Sequence, residues 1–357
     1  MRNHNKIIIF FVMGFVFTLF LWNLTGTSPE YSVSERRVLA SFPEINLEEI
    51  MSGEFAQQFE KYATDRFPAR DTWRSIKAYT QTKIFRKKDN NDIYTANGHV
   101  SKLEYPMNIE MMEHSVQLFT KVKDKYLDSN SIYFAIIPDK NRYLASSNGY
   151  LSLDYDAFTE YMKDGMEFAK YIEIADLLEA EDYYLTDTHW RQERITDVAE
   201  RIAEKMGSDI KQSYQENTLE YPFYGVYVGQ SALKCKPDTI TYLTNDTIDS
   251  AVVDGNLTIY DMKKAVSKDP YEMFLSGNQP IVKIVNKESN GDKRLIMFRD
   301  SFGSSISPLF IKGYSEIVLI DLRYVSSEVL DEYVRFENAD VLFLYSTLLL
   351  NNSLSMK

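Results

Sequence analysis

The longest hydrophobic segment of the chain lies at its amino terminus. Residues 7–22, IIIFFVMGFVFTLFLW, contain no charged side chain, and the next ionised residue is Glu30. A helix that spans a bilayer needs roughly 17–25 apolar residues, so Ile7–Leu24 is just long enough. Arg2 and Lys6 precede it, and the positive-inside rule keeps that end in the cytoplasm. The pattern predicts a membrane helix, with the chain after residue 30 exported.

A cleavable signal peptide has the same charge pattern. The sequence that follows the apolar run, NLTGTSPE, has no small-x-small cleavage site of the A-x-A kind. We therefore expect residues 1–27 to be a cytoplasmic tail and an uncleaved anchor. This predicts a single-pass protein of the cell membrane whose main domain lies outside the cytoplasm.

Residues 28–100 are predicted to be a linker followed by helices. The linker, residues 28–45, contains two prolines and little periodicity. Apolar residues then recur at helical spacing until Pro68 interrupts the run. One apolar face is formed by Met51, Phe55, Phe59 and Tyr62. We expect this face to pack against the main domain.

Strands and helices alternate in the main domain, which is predicted to cover residues 101–357. Helices are expected at Met107–Leu127, Tyr155–Phe168 and Arg191–Met206 and from Ser301 and Ser326, and strands at Tyr133–Ile137, 294–298, 316–320 and 340–345. Alternation of this kind predicts an α/β fold whose parallel sheet is covered on both faces. Between about 209 and 285, β-formers alternate with Gly, Asn and Asp, which predicts a mostly β insertion or lid.

Composition and charge narrow the classes of function. The chain has 357 residues, with 40 Lys and Arg against 52 Asp and Glu, so its formal net charge is −12. This charge disfavours nucleic acid, whose binding depends on cation–phosphate contacts. Aromatic residues make up 14% of the chain, which suits a sugar-binding surface and a packed core equally. The single cysteine, Cys235, permits no intrachain disulfide and has no second cysteine or nearby histidine for a metal site.

Ser301 is a candidate nucleophile because it directly follows a predicted strand. The carboxyl ends of parallel strands are where ligands bind. A serine at the start of a helix would lie beside free backbone N–H groups and the positive end of the helix dipole, which can hold an oxyanion. Gly303 would let a substrate approach the backbone. The alternative is that Asp300 or Ser301 is an ordinary helix N-cap.

His189 is the candidate base. The chain contains only four histidines, and Asp187 lies two residues before this one, in TDTHW. His4 is in the predicted tail, while His99 is expected in a turn and His114 on the polar side of a helix. A carboxylate that orients an imidazole is what a Ser-His-Asp relay requires. The alternative is a metal site made by Asp187 and His189, for which the sequence offers no third ligand cluster.

These motifs resemble a known family. TDTHW followed about a hundred residues later by RDSFG resembles the SGNH-hydrolase-like domain of the alginate O-acetylation proteins of the AlgJ/AlgX type, and the related DHHW proteins of Gram-positive bacteria. Four further segments are similar to signatures of that family in the right order: SERRVLASFP (Ser34–Pro43), FEKYATDRFPARD (Phe59–Asp71), IPDKNRY (Ile137–Tyr143) and IDLRY (Ile320–Tyr324).

The resemblance implies an SGNH-hydrolase-like, flavodoxin-like fold with a three-layer parallel sheet. It implies Ser301 as nucleophile, His189 as general base and Asp187 as its orienting acid. The order Asp-His before Ser implies a circularly rearranged chain. Two positions depart from the family pattern. Arg299 replaces the glycine of the usual Gly-Asp-Ser, and Thr188 stands where the DHHW proteins have His.

The function implied is O-acetylation of a cell-surface or extracellular polysaccharide through an acetyl-serine. The acetyl group would come from a membrane-bound O-acyltransferase, and no cofactor is expected, since the chain has no nucleotide-binding fingerprint. Expected substrate or oxyanion contacts are Gly303, Arg323, Lys140, Tyr143 and Trp190. An acetylesterase with the same three residues, or a non-catalytic scaffold that binds glycan or a partner, remains an alternative.

Overall fold

The computed structural model describes residues 2–25, 29–32, 34–289 and 291–357. The predicted boundary between anchor and linker, at residues 27 and 28, lies outside the described residues. The chain forms two compact units. The smaller contains Met1–Asn91 and Val228–Lys234, and the larger contains Asp92–Tyr227 and Cys235–Lys357.

The smaller unit begins with helix α1, Arg2–Thr25. Within it, Asn5–Asn23 has a mean hydropathy of 2.0 and no buried residue. In the described part of the chain this is the one helix long and apolar enough to cross a membrane. A single amino-terminal apolar helix fits a single-pass anchor, and a signal sequence has the same length and composition.

Short elements make up the rest of the smaller unit. They are β1 (Tyr31–Ser32), β2 (Arg37–Val38), α2 (Leu47–Ser52), α3 (Glu54–Asp65), α4 (Arg70–Tyr79) and β3 (Asp89–Asn90). Gly53, with φ of +83°, joins α2 to α3 in a left-handed conformation that suits glycine. The buried Asp65 accepts two hydrogen bonds from Arg37, at 2.8 and 2.6 Å, and these lower the pKa of its carboxyl to about 2.

The predicted apolar face of α2 and α3 is only partly buried. Phe59 and Tyr62 pack edge-on or tilted against Phe42 and each other. Met51, however, is 81% exposed, and α2 has no buried residue. The packing of this face against the main domain stays a prediction.

The larger unit contains the remaining elements, except for most of α9, which belongs to the smaller unit. Its strands are β4 (Ile93–Ala96), β5 (His99–Lys102), β6 (Ile132–Ile137), β7 (Lys170–Tyr171), β8 (Gln215–Thr218), β9 (Thr241–Thr244), β10 (Val252–Val253), β11 (Ile281–Val285), β12 (Arg294–Arg299), β13 (Glu316–Ile320) and β14 (Ala339–Ser346). The α-helices from residue 109 onward are α5 (Ile109–Tyr126), α6 (Asn141–Leu144), α7 (Tyr155–Gly165), α8 (Thr196–Lys205), α9 (Val226–Ser231), α10 (Asp246–Ser250), α11 (Gly303–Ile306) and α12 (Thr347–Leu350).

A seven-stranded, mostly parallel sheet is the centre of the larger unit. Its strand order is β10-β11-β13-β12-β14-β6-β7. The five strands from β13 to β7 are parallel, and β11 and β10 add an antiparallel edge. Strand β12 is buried on both faces: Leu295 and Met297 belong to one core, and Ile296 and Phe298 belong to the other. The prediction of an α/β fold with a covered sheet is confirmed.

The parallel register determines which residues meet at the carboxyl edge of the sheet. Phe298 of β12 pairs with Ile320 of β13 and with Phe343 of β14, and Ser346 of β14 pairs with Ile137 of β6. The residues that follow these four strands therefore emerge at one edge. They include Ser301 and Lys140.

Two predictions of secondary structure are wrong. The segment 209–285 is mostly irregular, since Phe223, Ile240 and Phe274 gather in a small core of their own and only short strands form. The chain after Ser301 forms only four α-helical residues, α11, before a 3₁₀ helix at Ser307–Gly313. Such a short helix has little dipole to offer an oxyanion.

Candidate active site

Ser301 lies in a tight turn after β12. The buried carboxylate of Asp300 holds this turn: Oδ1 accepts a hydrogen bond from Phe302 N–H at 3.0 Å, and Oδ2 accepts from Ser346 N–H at 2.9 Å and from its hydroxyl at 2.6 Å. Asp300 thus ties the serine turn to the neighbouring strand β14. Its role is more than that of a helix cap, because one carboxylate joins two strands of the sheet.

Asp187 and His189 lie on a narrow loop. Tyr183 and Trp190 pair as an isolated antiparallel bridge at its base, and Tyr184 N–H donates to His189 O at 3.1 Å. The bridge narrows the loop and directs its tip toward the carboxyl edge of the sheet. We call residues 184–189 the histidine loop.

The three side chains form one hydrogen-bonded chain. Ser301 Oγ lies 2.8 Å from His189 Nε2, and His189 Nδ1 lies 2.6 Å from Asp187 Oδ1. The Asp187 carboxylate is buried, whereas 12% of the His189 side chain is exposed. This is the order of contacts that a nucleophile, a base and an orienting acid require.

The other oxygen of Asp187 is also bound. Oδ2 accepts a hydrogen bond from Val226 N–H at 2.9 Å. Gly225, the residue before, lies so close that a Cβ there would be 2.4 Å from the Asp187 backbone and Cβ atoms. Gly225 N–H also donates to Thr186 Oγ1 at 2.8 Å. The segment at 225–226 therefore supports the loop, and sequence reasoning missed it because it assigned YPFYGVY to a β insertion.

Aromatic side chains hold the imidazole ring. Tyr271 stacks on His189 with ring centroids 3.8 Å apart and an angle of 10° between the planes. Its hydroxyl donates to Ser305 Oγ at 3.0 Å and to Ser301 O at 3.3 Å. The ring centroids of Phe302 and His189 lie 4.9 Å apart. Tyr271 thus touches both the base and the nucleophile turn, and no sequence pattern indicated it.

The serine turn keeps one backbone donor free. Phe302 N–H is bound to Asp300 Oδ1, and Gly303 N–H donates to Asp300 O at 3.1 Å. Within the described chain, Ser301 N–H has no hydrogen-bond acceptor. The Ser301 N–H group is therefore available to an oxyanion, as a serine at this position leads one to expect.

Two residues predicted as substrate contacts are buried structural groups. Trp190 is fully buried, and its indole N–H lies 3.1 Å from Phe302 O and 3.0 Å from Ser305 Oγ, so it fastens the histidine loop to the serine turn. Gly303 is buried as well. A Cβ there would meet Arg299 Cβ at 2.6 Å, so the glycine makes room for that side chain and not for a substrate.

Arg299 occupies the position where the family pattern has glycine. Its guanidinium is 1% exposed, and Nη1 donates to Asp300 O and to Ser304 Oγ, both at 3.2 Å. It also lies 3.6 Å from Asp321 Oδ2. The departure at this position therefore leaves an ordered turn, with the arginine packed beneath it.

Arg323 and Tyr143 have other partners. Arg323 forms a two-point ion pair with the buried Asp321, with Nε–Oδ1 at 2.9 Å and Nη2–Oδ2 at 2.6 Å. The Tyr143 hydroxyl donates to Ala175 O at 3.1 Å. Neither side chain has a described contact with the Asp187–His189–Ser301 chain, so their roles at a substrate stay predictions.

Lys140 is buried beside the histidine loop. Its ammonium donates to the carbonyl oxygens of Tyr184 and Asp187 at 2.8 Å and to that of Leu185 at 3.2 Å. Burial lowers the pKa of the amine to about 7, although Asp238 and Asp187 nearby favour the charged form. The protein itself thus supplies three acceptors to Lys140, and the expected role of this lysine at a substrate or an oxyanion stays a prediction.

Neither His99 nor His114 has a described contact with the Asp187–His189–Ser301 chain. His99 was expected in a turn, but it begins β5 and is buried, and burial lowers the pKa of its imidazole to about 4. His114 Nδ1 is within 2.9 Å of Ser353 Oγ. Among the described residues no group of three or more His, Cys, Asp or Glu is arranged to hold a metal ion.

No family model matches the sequence, and no curated protein matches it either. Solved structures do. A DHHW family protein from Eubacterium siraeum matches with a TM-score of 0.58 and 23% identity over 72% of this chain and 91% of that chain. Bacillus cereus PatB1 with a sulfonyl adduct matches with a TM-score of 0.56 and 18% identity, over 72% of this chain and 94% of that chain.

The O-acetyltransferase domain of Pseudomonas putida AlgJ also matches, at a TM-score of 0.45 and 13% identity over 72% of this chain and 92% of that chain. That likeness is too distant for a structural conclusion. The first two matches show that the chain shares the fold of a DHHW family protein and of PatB1, so the resemblance inferred from the motifs is supported at the level of fold.

Proposed function

We propose that the chain is an O-acetyltransferase that works through an acetyl-serine at Ser301. The observation that carries the proposal is the hydrogen-bonded chain from Asp187 through His189 to Ser301. Asp187 and His189 share one loop, but His189 and Ser301 are 112 residues apart in the sequence. Their contact is improbable as a structural accident, because Ser301 follows a parallel strand at the ligand-binding edge of the sheet.

The geometry supports a two-step acyl transfer. Ser301 Oγ attacks the carbonyl carbon of an acetyl ester as its proton passes to His189 Nε2. The tetrahedral oxyanion accepts a hydrogen bond from Ser301 N–H, and Asp187 stabilises the imidazolium. Collapse breaks the ester bond, and the imidazolium returns the proton to the leaving alcohol. A glycan hydroxyl then gives its proton to His189 and attacks the acetyl-serine. The bond between the acetyl group and Ser301 Oγ breaks, His189 returns the proton to Oγ, and acetylated glycan and free Ser301 are released.

We also propose the setting of this reaction. The apolar helix α1 anchors the protein, and the larger unit acts outside the cytoplasm on a cell-surface or extracellular polysaccharide. A membrane-bound O-acyltransferase supplies the acetyl group. The support is the single apolar helix, the basic residues ahead of it, and the family resemblance of the motifs.

Mass spectrometry of the intact chain tests the proposal. The purified full-length protein in detergent, mixed with an acetyl ester and stopped in acid, should gain one acetyl group on Ser301, and added glycan should remove it with acetylation of the glycan. Ser301→Ala should gain none. Ser315→Ala, which removes a half-buried hydroxyl that donates to Lys293 O at 3.0 Å, should behave as wild type. Absence of acetyl-Ser301 in the wild-type protein would overturn the proposal.

An acetylesterase is the second candidate. His189 and Ser301 are both partly accessible to solvent, so water can take the place of the glycan hydroxyl in the second step. The ratio of acetate to acetylated glycan, measured with and without a range of glycans, separates the two enzymes. A protein that acts only as a scaffold would keep its biological activity in Ser301→Ala.

A further inference from the structure

The backbone of the histidine loop is held by two buried ionisable side chains. Lys140 donates to the carbonyl oxygens of Tyr184, Leu185 and Asp187. Asp238 accepts from Leu185 N–H at 2.6 Å and from Thr186 N–H at 2.7 Å, and it also binds the Thr186 hydroxyl.

The ammonium form of Lys140 and the carboxylate of Asp238 each have the hydrogen-bonding groups that their partners on the loop require. An ammonium has three N–H donors, and the loop gives Lys140 three carbonyl acceptors. A carboxylate only accepts, and the loop gives Asp238 two N–H groups and one hydroxyl. Lys140 is 1% exposed and Asp238 is 7% exposed. Hydrogen bonds to buried charged groups are stronger than neutral ones and are expensive to leave unmade.

Lys140 also connects the loop to the sheet. It lies three residues after the end of β6, which pairs with β14, and β14 pairs with the strand that precedes Ser301. The carbonyl of Asp187 itself is one of its acceptors. Movement of the loop away from this lysine would therefore separate His189 from Ser301.

We propose that Lys140 and Asp238 are positioning residues, which hold the carbonyl and N–H groups of residues 184–187 and thereby keep Asp187 and His189 in line with Ser301. The inference rests on the proposed function for its meaning in catalysis. The arrangement itself can be tested in the resting protein.

The matched pair of variants is Lys140→Met and Lys293→Met. Lys293 also donates to two backbone carbonyls, Met206 O at 2.9 Å and Gly207 O at 3.0 Å, neither of which belongs to the histidine loop, and it pairs with Asp340 at 3.1 Å. In both variants the carbonyl groups lose the lysine amine that donates to them. Only the first should disturb the site, because a misplacement of about 1 Å in a catalytic group can cost on the order of 100-fold in rate.

Two measurements on the full chain in detergent carry the test. The first is the low-field proton NMR signal of the His189 Nδ1–H bound to Asp187, assigned by its loss in His189→Gln. The second is the rate at which a sulfonyl fluoride labels Ser301. Lys140→Met should lose the signal and label about 100-fold more slowly. Lys293→Met should match the wild type in both.

A double substitution separates positioning from general destabilisation. If Lys140 acts through Asp187, then Lys140→Met should add little to the labelling defect of Asp187→Asn. A wild-type signal and labelling rate in Lys140→Met, or full additivity with Asp187→Asn, would overturn the proposal. If Lys140→Met does not fold, Asp238→Asn is used in its place. This substitution places an amide N–H₂ against N–H donors of the loop, so it should also lose the NMR signal and slow the labelling of Ser301.

Failure of the proposed function has a different signature. A wild-type protein that shows the NMR signal and reacts with the sulfonyl fluoride, but never transfers acetyl, would overturn the acetyltransferase and leave the positioning of the loop standing. Loss of the positioning effect with acetyl transfer intact would do the reverse.

Discussion

The two sides of the candidate site are held by different kinds of contact. Ser301 depends on its neighbours in sequence and on one adjacent strand, through Asp300 and Ser346. The histidine loop depends on side chains and backbone from remote parts of the chain, among them Lys140, Val226 and Asp238. The nucleophile therefore rests on the rigid sheet, whereas the base depends on a set of long-range contacts that single substitutions can disturb.

The largest effect is expected at the acid of the histidine loop. Asp187→Asn keeps the size of the side chain but can place its N–H₂ toward His189 Nδ1, which favours the wrong imidazole tautomer. We expect kcat for acetyl transfer to fall by about 10⁴-fold with little change in KM. Steady-state kinetics with an acetyl ester measures this. A loss below tenfold would mean that the carboxylate does not orient the base.

Gly225→Ala should displace the same loop from outside. The new Cβ would lie 2.4 Å from Asp187 atoms, so either segment must shift. We expect kcat to fall on the order of 100-fold, and overpacking to lower the free energy of unfolding by about 1–3 kcal/mol. Gly291→Ala is the control, because its Cβ would meet only Ser289 Oγ at 3.8 Å and should change neither quantity.

A substitution on the serine side should cost less activity. Ser346→Ala removes one hydrogen bond to the buried Asp300, which keeps Ser346 N–H and Phe302 N–H. We expect the free energy of unfolding to fall by about 1–2 kcal/mol and kcat to fall by less than about tenfold, since the turn stays tied to the sheet. Denaturant titration and kinetics measure the two. A larger kinetic loss than in Gly225→Ala would contradict the difference between the two sides.

The smallest effect is a pH dependence of stability from Lys140. Burial lowers the pKa of its amine from 10.5 to about 7 in the folded protein, and the nearby acidic groups Asp238, Asp187 and Asp139 limit that fall. Between these two values the unfolded chain binds more protons, so this residue makes stability rise as pH rises and lowers it as pH falls toward 7.

Urea titrations at pH 7.5 and pH 9 measure this contribution, and Lys140→Met should remove it. The slope from one group is at most about 1.4 kcal/mol per pH unit. If stability in Lys140→Met changes with pH as in the wild type, the amine is charged in both states over this range. Its three carbonyl contacts then outweigh burial.

Part of the architecture could be predicted because it depends on local pattern. Strand β12 is a continuous apolar run, so its burial on both faces and the position of Ser301 after it follow from neighbouring residues. The alternation in 209–285 looked like β structure for the same local reason. It was misleading, because those aromatic residues bury against each other in a small core and pair in only short strands.

The supporting residues of the site could not be predicted in this way. Trp190 and Gly303 were expected to contact substrate or an oxyanion, and both are buried in packing contacts. Lys140 was expected at a substrate, yet its partners are backbone carbonyls, which every residue has and no motif reveals. Tyr271 and Gly225 lie in segments without a recognisable pattern. Their importance comes from what packs on them.

The sequence by itself determined the apolar amino-terminal helix, the buried strands and the candidate identities of Ser301, His189 and Asp187. Those features depend on residues within a few positions of each other. Only the tertiary structure decided that His189 and Ser301, which are 112 residues apart, lie within 2.8 Å, and that Lys140 and Asp238 both bind the backbone of the histidine loop. Contacts of that kind arise from the pairing of whole strands and the burial of charge, which a local pattern does not encode.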